Sequence, residues 1–97
     1  YSIARQKLEQ VFAEARRAGV AIIARWVLES GMLGGRYRPG HEFTWPDTRS
    51  RYRSPERDGI LEIAQRIAAD LPEGFAGPAD VAVAFALSVL AGAGIGW

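Results

Sequence analysis

Apolar residues along this chain fall into four blocks, and the spacing within each block predicts what it becomes. In the first, Leu8, Val11, Phe12 and Ala15 recur at helical intervals, with Lys7, Glu9, Glu14, Arg16 and Arg17 on the other faces. That predicts an amphipathic helix of about three turns. Gly19 ends it, since glycine takes the left-handed C-cap conformation without penalty. The second block, residues 20–24, reads VAIIA: unbroken, partly β-branched, and of strand rather than helix length. An unbroken apolar run predicts a strand covered on both faces, as in parallel sheets.

The third block begins at Ser54, Pro55 and Glu56. These supply a serine N-cap, a proline in the first turn and an acid facing the helix dipole. Ile60, Ala64, Ile67 and Leu71 make one apolar stripe, and Pro72 and Gly74 end the helix. In the fourth block Gly77 and Pro78 open another helix. Val81, Ala84, Phe85 and Ser88 share one side of it, Val83, Leu87 and Leu90 another. A helix apolar nearly all round predicts packing on several sides. Gly92 caps it, residues 93–97 read as the start of a second buried strand, and residues 1–3 as the end of a preceding one.

Residues 34–54, between the second and third blocks, are polar and carry Pro39, Gly40 and Pro46. Structureless connections longer than about 12–15 residues are uncommon unless functional. The order is therefore helix, strand, long loop, helix, helix, strand, which predicts an α/β fold with a parallel sheet. Two or three strands with helices on one side would leave sheet edges and apolar helix surface uncovered. The expectation is a single segment, residues 1–97, of an incomplete domain within a larger α/β structure.

Composition narrows this little. Ninety-seven residues make at most one domain. A net charge of +1 offers no global attraction to nucleic acid or to acidic membranes, so neither is expected as a partner. With no cysteine and a single histidine, His41, no thiolate or multi-histidine metal site can be assembled. The long uncharged stretch at 81–97 is shorter than the ~20 apolar residues of a spanning helix, and Gly92, Gly94 and Gly96 interrupt it.

The most informative stretch is ARWVLESGMLGGRYRPG, residues 24–40, followed by Phe43, Asp47, Arg49, Ser50, Arg51 and Tyr52 and later by PADVAVAFALSVL. It resembles the C-terminal third of the aldo-keto reductases, whose seventh barrel strand ends in a pattern similar to R-x-P-L-x-S-G-x-L-x-G-K-Y. Arg25, Leu28, Ser30, Gly31, Leu33, Gly35 and Tyr37 match, and Arg36 replaces a lysine. Val27 stands where proline is usual and Glu29 where a small residue is commoner.

The resemblance spans nearly the whole chain and implies a partial (β/α)8 TIM barrel, from about the sixth strand to the eighth. It further implies a cytoplasmic enzyme that reduces aldehydes or ketones with NADP(H), or runs the reverse. In such barrels ligands sit at the C-terminal ends of the strands. Gly31, Gly34 and Gly35 would let backbone N–H groups approach a pyrophosphate. Arg36 and Arg49 would add charge-assisted bonds to its oxygens. Arg25 would stack on the nicotinamide, with Trp26 taking that place if the register slips by one.

The expected cofactor-binding set is thus Arg25, Trp26, Leu28, Ser30, Gly31, Arg36 and Arg49. The family's catalytic aspartate, tyrosine, lysine and histidine lie on its first four strands, so this segment alone is expected to be inactive. The rest of the barrel and a small carbonyl or alcohol substrate are the implied partners.

Plainer readings stand beside each feature. As a set, Arg36, Arg38, Arg51, Arg53 and Arg57 read as solvated surface, and only Arg36 and Arg49 gain from the resemblance. Trp45 and Tyr52 read as aromatics that pin the loop. Glu29 beside Ser30 is no hydrolytic pair, because adjacent strand residues face opposite ways. Two further classes remain: a non-catalytic remnant that makes protein contacts or oligomerises through its exposed apolar helix, and a phosphate- or nucleic-acid-binding protein using the arginine loop.

Overall fold

Three helices carry the fold in a computed structural model that describes residues 1–7 and 9–90. They are α1 (Glu9–Ala18), α2 (Ser54–Ala69) and α3 (Pro78–Leu90), with 3₁₀ turns at Met32–Gly34 and Thr48–Arg51. Helix α1 ends as its sequence predicts. Gly19 adopts φ 70°, its N–H reaches the Arg16 carbonyl at 3.1 Å, and the Val20 N–H reaches Ala15 at 2.9 Å. That pair of bonds is the Schellman cap, which a left-handed glycine makes possible.

Helix α2 starts at Ser54, with Arg53 rather than Ser54 in the cap position and Pro55 in the first turn. Its Asp70 C-cap N–H donates to the Ile67 carbonyl, two residues before the proline that bars continuation. Helix α3 is opened by Pro78, and Asp80 accepts a bond from the Ala76 N–H at 3.1 Å. No helix among the described residues is long and apolar enough to cross a membrane.

The core lies where the Met32–Gly34 turn, α2 and α3 meet. Met32, Leu33, Ile60, Leu61, Ala64 and Ala82 are buried together there. Leu61, which the predicted stripe leaves out, is fully buried, so α2 turns positions 60, 61 and 64 inward. Helix α3 contributes its alanines: Ala82 and Ala86 are buried, while Val83 and Leu87 are exposed. Small side chains on the contact face let the helix axes approach closely. Helix α1 joins this body through Tyr1, whose ring lies 4.9 Å from Phe12 and 6.1 Å from Phe85.

The expected α/β fold, a partial TIM barrel, is overturned. Among the described residues there is no strand, and the β-pairing is one isolated bridge between Ser2 and Arg5. Residues 20–24, predicted as a doubly covered strand, form no regular structure, and Val20 and Ile23 are 60% and 88% exposed. A helix satisfies its backbone within itself, whereas a strand needs a neighbour for every N–H and C=O. Residues 20–24 find no such strand neighbour among the described residues. The continuation of the motif departs further, because Trp26, Glu29, Ser30 and Gly31 all adopt positive φ, a conformation foreign to strands. The strand expected at 93–97 lies outside the described residues.

Candidate functional site

The segment from Trp26 to Tyr52 makes a concave surface against the chain start and the first turn of α2. Residues Glu29, Ser30 and Gly31, at φ 50°, 57° and 86°, form a left-handed turn. Non-glycine residues are rare in that region and persist only where their surroundings hold them. Glu29 is what holds them. It is 1% exposed, accepts the Ser2 hydroxyl at 2.6 Å, and takes the Arg5 Nε on both oxygens at 3.0 Å. A buried carboxylate without such partners would be strongly destabilising.

Arg5 reaches in the other direction as well, its Nη2 lying 2.5 Å from Glu56 Oε1 on α2. The two hydrogen bonds, to Glu56 first and Glu29 second, raise the Arg5 pKa above its ordinary value. Opposite this pair, Trp26, Ser30, Thr48, Arg51, Tyr52 and Arg53 complete a cleft of about 570 Å³. That volume is within the range of small-molecule sites, roughly 300–1,000 Å³. Its wall holds three guanidiniums, Arg5, Arg51 and Arg53, against one carboxylate, Glu56. Arg51 and Arg53 form no ion pair with any described residue. The exposed Trp26 indole stands beside them.

The long loop is pinned from beneath. Tyr37, His41 and Phe43 pack ring to ring at 4.8–4.9 Å. Asp58 accepts the Gly40 N–H at 2.9 Å, and Gln65 donates to the Tyr37 carbonyl at 3.2 Å. Tyr52 packs on the core, whereas Trp45 is exposed and meets the loop through the Arg51 guanidinium, 5.8 Å from its ring centroid.

The residues expected to bind a cofactor divide into two groups. Trp26 and Ser30 line the cleft. Gly31 belongs to the left-handed turn but not to the cleft wall, and its N–H and that of Gly34 are spent on the carbonyls of Leu28 and Gly31. Leu28 packs against the core. Arg25 lies outside the cleft wall with its guanidinium 5.3 Å from the Trp26 ring. Arg36 is exposed and also outside the cleft.

Arg49 is committed elsewhere. Its Nη2 pairs with Asp47 at 2.8 Å, its Nη1 reaches the Ser30 carbonyl at 3.4 Å, and its guanidinium lies 4.4 Å from the Phe43 ring. That pairing raises the Arg49 pKa and lowers that of Asp47, which also accepts the Arg49 backbone N–H. Arg49 is thus a strut beneath the Ser30 turn.

Sequence reasoning missed Arg5, Arg51, Arg53 and Glu56 as one group. No local pattern signals it, because Arg51 ends a 3₁₀ turn, Arg53 caps α2, and Arg5 and Glu56 lie far from each other in the sequence. Among the described residues no cluster of histidine, cysteine, aspartate or glutamate is arranged to hold a metal. Together the described residues form a helical body with a cation-rich cleft walled in part by Trp26 and Tyr52. The chain matches no family model, no curated protein and no solved structure.

Proposed function

We propose that this chain supplies the phosphate-and-ring side of a dinucleotide site in a cytoplasmic NADP(H)-dependent oxidoreductase that interconverts aldehydes or ketones with alcohols. The observation that carries the reading is the cleft itself: Arg51 and Arg53, which pair with no carboxylate among the described residues, beside the exposed Trp26. A ligand with phosphates and an aromatic ring uses both kinds of wall, through charge-assisted bonds to guanidinium and stacking on indole. The likeness of residues 24–40 to the aldo-keto reductase pattern supplies the reaction class. The reading rests on this loop and not on a barrel.

The resemblance assigns hydride transfer to an aspartate, a tyrosine, a lysine and a histidine outside its matched motif, so on this reading the chain by itself binds without turnover. Its own residues have plain tasks. Arg51 and Arg53 neutralise phosphate charge, Trp26 presents a ring face, and Glu29 with Arg5 keeps the Ser30 turn in place.

Calorimetric titration of NADPH into the chain tests this. Binding is expected to weaken about tenfold or more in Arg53→Ala, as the loss of a charge-assisted bond implies. Arg36→Ala is expected to bind like the wild type. Absence of NADPH binding, or equal affinity in Arg53→Ala, removes the reading.

A second reading rests on α3. The exposed Val83 and Leu87 present an apolar face suited to a non-catalytic interaction module, and such a module binds no dinucleotide.

A further inference from the structure

Glu56 occupies an unusual place in the cleft. It is the one carboxylate on a wall with three guanidiniums, and it already neutralises one of them, Arg5. The Arg5 head is anchored independently on its other side. Its Nε is held by both oxygens of Glu29, which is itself fixed by the Ser2 hydroxyl and buried. Arg5 and Glu56 both line the cleft, so the Arg5 Nη2 can exchange its partner while Nε stays held by Glu29. Glu56 lies at the exposed start of α2, so its carboxylate can swing into water at small cost.

We propose that Glu56 is a built-in counterion for Arg5 which a ligand must displace, so that the cleft selects multiply charged phosphate groups over carboxylates. The inference rests on the cleft reading above and specifies its ligand class. A monocarboxylate that displaces Glu56 exchanges one carboxylate for another and gains nothing from Arg5. A diphosphate has enough oxygens and charge to meet Arg5, Arg51 and Arg53 together, which outweighs the lost Glu56 contact. Glu56 thereby raises the charge threshold for entry.

The test uses the whole chain at low ionic strength, with pyrophosphate, acetate and NADPH as probes. Wild type is expected to bind pyrophosphate and to show no acetate binding. Glu56→Gln, which keeps the side-chain shape at an exposed position, is expected to tighten pyrophosphate by about fivefold, the upper end for an exposed ion pair. It should also admit acetate, and the gain should shrink as salt is raised.

An unchanged pyrophosphate Kd in a Glu56→Gln variant with wild-type circular dichroism overturns the proposal. A measurement without substitution guards against a variant that does not fold. The Arg5 guanidinium nitrogen resonance should move on adding pyrophosphate and not on adding acetate; an unmoved resonance overturns the proposal equally. Pyrophosphate responding as expected while NADPH does not bind leaves Glu56 its role and removes the dinucleotide. NADPH binding that is indifferent to Glu56→Gln does the reverse, and binding of neither probe overturns both.

Discussion

Two stretches of five residues, 20–24 (VAIIA) and 60–64 (ILEIA), invite comparison because the more apolar of them is the one left outside. Ile23 is 88% exposed, while Leu61 and Ala64 are fully buried. Residues 60–64 lie inside a sixteen-residue helix whose backbone is satisfied internally, so packing had only to find one face a partner. The turn at Met32–Gly34 and the alanine face of α3 provide it. Residues 20–24 would need a flanking ladder before any of their apolar area could be covered, and none of the described residues supplies one. Hydrophobicity says what would gain from burial, and topology says whether burial happens.

Truncation should separate the two stretches most sharply. Leu61→Ala is expected to destabilise the chain by about 2–5 kcal/mol in urea unfolding, the cost of an apolar group plus the cavity it leaves. Ile23→Ser, at a nominally better core residue, should stay within about 0.5 kcal/mol of wild type. A large loss at Ile23 would mean that residues 20–24 are buried after all.

Next in size is a contrast between two glycines. Gly35 adopts φ 84°, and a Cβ there would lie 3.0 Å from Pro78 Cγ at the start of α3. Gly40 has φ 91° but open space around it. Gly35→Ala should cost about 1–3 kcal/mol, combining left-handed strain with displacement of Pro78. Gly40→Ala should cost only the strain, about 1 kcal/mol. Equal losses would show that the core turn is no more tightly fitted against α3 than the Gly40 turn is against its surroundings.

The smallest effect concerns acid. Asp47 is held below its ordinary value of 3.8 by the Arg49 side chain and backbone N–H, and Asp58 below the same value by the Gly40 N–H and then by Arg57. A carboxyl whose pKa is depressed by folding contributes stability above its unfolded pKa and loses it as pH falls through the folded one. Stability should therefore decline from about pH 4 downward, and Asp47→Asn with Asp58→Asn should flatten that decline. An unchanged acid limb in the double variant would show that the pinning of the loop is not electrostatic.

A good part of the architecture was legible. The three helices follow from helical spacing, from Gly19 as a left-handed cap and from the prolines at 55, 72 and 78. The long loop at 34–54 was legible too, because a polar stretch carrying Pro39, Gly40 and Pro46 is unlike an ordinary short turn. The site's cations were not. Arg49 matched a family pattern yet serves as a strut for Ser30, while Arg5 lies 51 residues from its Glu56 partner, a separation no local pattern reveals.

What the chain determined by itself were the local events: helix periods, caps and stops, each decided within about five residues by backbone conformation and hydrogen bonding. Tertiary structure alone decided which apolar surface became core, why α3 turns its alanines inward, and why a glutamate at position 29 is buried rather than solvated. Those outcomes depend on whether a partner from elsewhere in the chain arrives to cover a face or neutralise a charge. Residue type sets the energy of such a meeting, and the fold sets whether it takes place.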